Sequence, residues 1–168
     1  MRVPSRLLLI TVAQLLIASS AQAQLREHRS LLDWRTFLVP QYGTTVDYPA
    51  GIFVAAGAPE TGVGQRFNRP DGRAVLSVYS RDNEQGDTPA SYLKKNLRVE
   101  RSAIEYQRVT RSFFAISTER QGSIYYSRCN FSRAGVIHCF DLVYPKKEER
   151  AWDAVVTRIS LSLRPQEG

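Results

Sequence analysis

Cys129 and Cys139 are the only two cysteines of the 168-residue chain. Between them Arg133-Ala134-Gly135 reads as a three-residue turn, which sets Ser132 opposite Val136. By symmetry about Ala134 it also sets Cys129 opposite Cys139 on neighbouring strands. Opposed residues of an antiparallel pair have Cα atoms roughly 4.5–5.5 Å apart, a gap that a disulfide spans. Closing a loop of about 10 residues stabilises a fold by roughly 2.5–3 kcal/mol in the chain-entropy picture. A structural disulfide is therefore expected. A redox-active pair is the alternative, and the spacing lacks the Cys-x-x-Cys arrangement that lowers a thiolate pKa.

Asp141 is the next residue that could do chemistry. Strand alternation gives it the face of Cys139 and Val143, and the same register puts Ser127 opposite. Burial there raises a carboxyl pKa unless donors hold the charge. Such an acid is either structural, satisfied by Ser127 or an arginine, or a working acid, and no partner acid is fixed by spacing. His138 adjoins Cys139 and invites a Cys–His nucleophile, but adjacent strand residues point to opposite faces and a disulfide leaves no thiolate. His138 is expected on the sheet surface or against a helix. His28 and His138, without a cysteine or carboxylate cluster, make no metal site, and no cofactor is expected. Arg128, Arg108 and Arg111 accompany Tyr125, Tyr126 and Tyr106. Arginine beside tyrosine serves a partner or polar-ligand surface, or else the arginines lie over sheet aromatics at a solvated edge. The candidate binding residues are Asp141, Arg128, Arg108, Arg111 and Tyr126.

These side chains need a sheet. Thr44–Tyr48 reads as a strand closed by Pro49, and Ile52–Ala56 as another extended piece. Gln65–Arg69 and Ala74–Ser80 read as a hairpin turned by Pro70-Asp71-Gly72. Thr88 before Pro89 signals a helix start, giving a two-turn helix over Ala90–Leu97. Ile104–Ser117, Ser123–Phe131 and Val136–Tyr144 form three β-rich runs joined by two glycine-bearing turns, an antiparallel meander. Trp152, Val155, Val156, Ile159 and Leu163 then make one stripe of 3.6-residue period, predicting a helix over 147–163. Residues 24–39 carry Trp34 and Phe37 among charges and read as a leading arm or short helix. Residues 40–165 follow as a single domain. Its fold class is α+β, an antiparallel sheet of five to seven strands packed by a C-terminal helix and a shorter one.

Ahead of all this, Arg2 and Arg6 precede an apolar run from Leu7 to about Ala18, and Ala21-Gln22-Ala23 supplies a small-x-small cleavage pattern. A signal peptide over 1–23, cut between Ala23 and Gln24, is expected. The run is too short to span a bilayer core, which takes about 20 residues, so no transmembrane anchor is expected. The destination is the periplasm or the outside. Losing Arg2 and Arg6 takes the net charge from +7 to +5. That excess is dispersed along the chain, which argues against a nucleic-acid reader, whose charge clusters on one face.

Val46-Asp47-Tyr48-Pro49 with Phe53, then Leu76–Tyr79, then Ile159–Leu163 give the chain a layout that resembles the PsbP-like superfamily over most of residues 40–164. The resemblance implies an α+β sandwich that binds or scaffolds. Asp71-Gly72-Arg73-Ala74, Tyr126–Phe131 and His138-Cys139-Phe140-Asp141 also resemble uncharacterised exported proteins of alphaproteobacteria. The leading functional expectation is a non-enzymatic exported domain that binds a protein or polar ligand of the cell envelope. The alternative is a small periplasmic hydrolase or lyase using Asp141 with an arginine or His138.

Overall fold

Val136–Pro145 is apolar at nearly every position, the pattern of a strand covered on both faces, and it lies at the centre of the larger of two sheets. The structure is a computed structural model, and it describes residues 32–97 and 99–165. The signal peptide expected over residues 1–23 and its cleavage point lie outside the described residues. From Trp34 onward the strands are β1 (Trp34–Val39), β2 (Thr44–Pro49), β3 (Val54–Ala55), β4 (Val63–Asn68), β5 (Val75–Asp82), β6 (Ile104–Val109), β7 (Phe113–Arg120), β8 (Ser123–Phe131), β9 (Val136–Pro145) and β10 (Arg164–Pro165). Two helices, α1 (Pro89–Asn96) and α2 (Glu149–Ser162), complete the set with two short 3-10 turns. The seven-stranded sheet has the order β3-β4-β5-β9-β8-β7-β6, antiparallel throughout, and β1-β2-β10 form a second, three-stranded sheet. The fold is α+β, with the C-terminal helix and the shorter helix where the sequence places them.

One face of the large sheet packs on α2 and the small sheet. Leu76, Val78, Ile124, Phe140, Leu142 and Tyr144 meet Val39, Val46, Trp152, Val155, Val156, Ile159 and Leu163 in one buried cluster. The 3.6-residue stripe of α2 is thus its buried face. The hairpin between β4 and β5 is pinned to the start of this helix: Arg69 donates to Glu148 at 2.6 Å and lies over the Trp152 ring at 5.7 Å. The opposite face packs on α1, where Tyr79, Phe114, Ile116, Cys129, Ile137 and Cys139 surround Leu93. Thr88 caps α1 by accepting from the Ser91 amide at 3.2 Å, while the Ser91 hydroxyl accepts from the Thr88 amide at 3.0 Å. These reciprocal bonds satisfy two otherwise orphaned donors.

Two expectations need correction. Trp34–Val39, read as part of an arm or short helix, is a strand, and it pairs with β2 from Trp34↔Pro49 to Val39↔Thr44. Only Val39 is fully covered, so the apolar signal of this edge strand is thin. The run Ile104–Ser117 is two strands. Thr110 Oγ1 accepts from the amides of Ser112 and Phe113 at 3.2 and 3.0 Å, building the reversal with a side chain where glycine would otherwise serve.

Candidate functional site

The register β8–β9 runs from Ser123↔Pro145 to Phe131↔Ile137 and sets Cys129 against Cys139. Their Cα atoms are 4.1 Å apart and their sulfurs are bonded. Both cysteines are buried beneath α1. Two residues further along β9, past the end of α1, the same face opens. Asp141 floors a cleft of about 620 Å³, with Ser77 and Tyr79 of β5 on one side and Tyr125 and Ser127 of β8 on the other. The rim is built by Pro59–Thr61 before β4 and by Asn96 and Leu97 at the end of α1.

The Ser127 hydroxyl donates to Asp141 Oδ1 at 2.5 Å. Burial raises the Asp141 pKa; the Ser127 and Tyr79 hydroxyls pull it back, and the Glu60 carboxylate at the rim adds to the rise. The Tyr79 phenol is itself driven up by burial and then by the Asp141 charge. Arg66 and Arg120 line the same cleft. Each is held by other groups: Arg66 Nε donates to Asn68 Oδ1 at 3.2 Å, and the Arg120 guanidinium lies 4.6 Å from the Tyr125 ring centre. Among the described residues Asp141 has no ion-pair partner. It is a carboxyl kept by hydroxyls at the bottom of a polar and aromatic hollow. Such a floor suits a ligand that brings hydrogen-bond donors or positive charge.

The other candidate residues lie elsewhere. Arg108, Arg128 and Tyr126 share the α2 side of the sheet, and Arg111 sits exposed in the β6–β7 turn. The guanidiniums of Arg108 and Arg128 lie over Phe113, at 5.5 and 4.5 Å from its ring centre. The aromatic they cover is thus a phenylalanine and not the tyrosines. Tyr126 is stacked on Phe140 with ring centres 5.6 Å apart, and its hydroxyl is hydrogen-bonded to Ser160.

His138 is not on the exposed sheet surface, and its hydrogen-bond partner comes from β2. It is 2 % exposed, on the face opposite Asp141. Its Nδ1 is hydrogen-bonded to Thr44 Oγ1 at 2.6 Å, the Thr44 and Ser80 hydroxyls bond each other, and Nε2 has no partner among the described residues. Burial lowers its pKa. A hydrolase or lyase pairing Asp141 with His138 is thereby ruled out on geometry, because the sheet itself stands between them. Arg66, Tyr79, Glu60 and Thr61 were not among the sequence candidates. They reach the cleft through β5–β9, a pairing between segments about sixty residues apart that no local pattern announces.

No family model and no curated protein matches the chain. Among solved structures it is similar to cyanobacterial PsbP (CyanoP) from Synechocystis sp. PCC 6803, with a TM-score of 0.59 at 10 % identity over 79 % of this chain and 92 % of that one. It is also similar to the Ran-binding protein Mog1p of Saccharomyces cerevisiae, with a TM-score of 0.52 at 8 % identity over 79 % of this chain and 95 % of that one. The fold is PsbP-like.

Proposed function

We propose that the chain is an exported, non-enzymatic binding domain that takes a polar ligand or partner group of the cell envelope in the cleft above Asp141. The observation that carries this reading is the half-buried carboxyl itself, held by Ser127 and Tyr79, without a cation among the described residues, on the floor of a hollow in the size range of small-molecule sites. Ser127 spends its hydroxyl proton on Asp141, and the sulfurs of Cys129 and Cys139 are tied to each other. Mog1p, a Ran-binding protein, has a similar fold, which supports a binding role here. Export rests on the leader pattern of residues 1–23, and the buried disulfide fits an oxidising compartment.

A thermal-shift screen against polyamines, amino acids and small sugars tests the reading, using the wild type, Asp141→Asn and the cleft-filling Ser77→Phe. A true ligand at 100 times its Kd stabilises by about 2.7 kcal/mol, and both variants should lose that gain. Binding that survives both substitutions would remove the cleft from consideration. Conversion of any compound in an Asp141-dependent manner would establish an enzyme instead.

A further inference from the structure

The α2 side of the large sheet holds a second cluster that the cleft over Asp141 does not use. The registers Arg108↔Ala115 and Ala115↔Arg128 put both arginines in one cross-strand row, separated by a single methyl side chain. The neighbouring row on that face is Tyr106–Ser117–Tyr126, again with a small residue in the middle. Strands lie about 4.8 Å apart, so the outer Cα atoms of a row are roughly 10 Å apart. Long side chains can converge from that distance over the low centre. Val156, Ser160 and Leu161 of α2 close the other side of the resulting hollow, which has a volume of about 290 Å³.

Among the described residues the two guanidiniums have only neutral partners. Arg128 donates from Nε to Asn130 Oδ1 at 3.1 Å and from Nη1 to Ser160 Oγ at 3.0 Å. Of five N–H donors per guanidinium, this leaves several on Arg128 unspent. Arg69, Arg73 and Arg158 each pair with a carboxylate, whereas among the described residues neither Arg108 nor Arg128 does. Burial lowers the Arg128 pKa, and the nearby Arg108 charge acts in the same direction. Two like charges at a half-buried hollow, with donors to spare and no counter-charge among the described residues, are complementary to an anion with several acceptor oxygens.

We propose that Arg108 and Arg128 form a binding site for a phosphoryl-type oxyanion, which sits between the two guanidiniums above Ala115. Phe113, Val156 and the 76 % exposed Leu161 give the hollow an apolar side for whatever the anion is attached to. The phosphoryl group is supplied either by a free phosphate compound or by an anionic lipid head group.

Calorimetric titration of the purified protein with inorganic phosphate at low ionic strength reads the first source. Co-sedimentation with phosphatidic acid vesicles in phosphatidylcholine, against phosphatidylcholine alone, reads the second. Charge-assisted hydrogen bonds of this kind correspond to roughly ten- to a hundredfold in affinity. Arg108→Gln, on an exposed residue that folding does not need, should weaken whichever binding is seen by that factor. Arg128→Lys, which keeps the charge and loses the fork, should weaken it in the same direction. Arg133→Gln, in the exposed β8–β9 turn, should leave it unchanged. Absence of both phosphate and vesicle binding would overturn the proposal. So would affinity that falls equally in Arg108→Gln and Arg133→Gln.

Discussion

Replacing Cys129 and Cys139 together by alanine should lower the melting temperature by about 10 °C. The two residues are 10 apart in sequence, so the chain-entropy expression gives about 2.7 kcal/mol for the tether at 25 °C. Unfolding entropy near the transition is about 2.1 cal/mol/K per residue, or about 0.27 kcal/mol/K for a unit of roughly 130 residues, which converts that loss into about 10 °C. The double variant also removes two sulfurs from the buried cluster under α1, which enlarges the drop. Strong reduction of the wild type isolates the tether alone, and both sulfurs are buried, so reduction should be slow until the α1 side opens. Calorimetric melts of oxidised, reduced and doubly substituted protein, with mass spectrometry after alkylation, measure all three. A shift under about 2 °C, or two alkylated thiols in the unreduced native protein, would refute the reasoning.

A leader over residues 1–23 predicts a mature N-terminus at Gln24 or its pyroglutamate, and N-terminal sequencing that finds Met1 intact would remove both the leader and the proposed compartment. Asp141 has a folded pKa raised above its unfolded value by burial, so its ionisation costs stability as pH rises through the unfolded pKa of about 3.9. Asp141→Asn should therefore be more stable than the wild type at neutral pH and equal to it in acid; melts across that range that run parallel would contradict this. His138 has the opposite linkage: its folded pKa is lowered by burial, and protonation makes both ring nitrogens donors although Nε2 has no acceptor among the described residues. Stability should fall as pH drops below the unfolded histidine value of about 6.5, and urea melts should show that loss reduced in His138→Asn.

The sheet's centre was readable because its determinants are local. The turn at Arg133–Gly135 is symmetric, so one assumption about its length fixes every partner from Ser123↔Pro145 to Phe131↔Ile137, including Ser127 opposite Asp141. The α2 stripe was readable because a helix buries one face at a fixed period. The β6–β7 reversal escaped because Thr110 makes it with a side-chain hydroxyl and no glycine or proline marks the place. That omission also hid the row Arg108–Ala115–Arg128, since its register depends on where β6 ends. Arg66, Tyr79 and Glu60 were hidden for another reason. Only β5–β9 brings them to Asp141, and the pairing of distant strands has no signature in either segment. β1 shows so little covered apolar surface that its pattern matched an arm as well as a strand.

The strand order 3-4-5 followed by 9-8-7-6 has a consequence for how the cleft comes into being. Each run is a meander of sequential neighbours, and β5–β9 is the one junction between them in the large sheet. Ser77 and Tyr79 belong to the first block, and Asp141, Ser127 and Tyr125 to the second. Neither block contains the pocket; docking of the two creates it. A molecule seated there would touch both blocks and act as a clasp across the junction, contributing its binding energy to the long-range step that joins them. Two fragments divided near α1 would then reassociate more tightly in its presence, so that fragment complementation reports occupancy without any knowledge of what the ligand does.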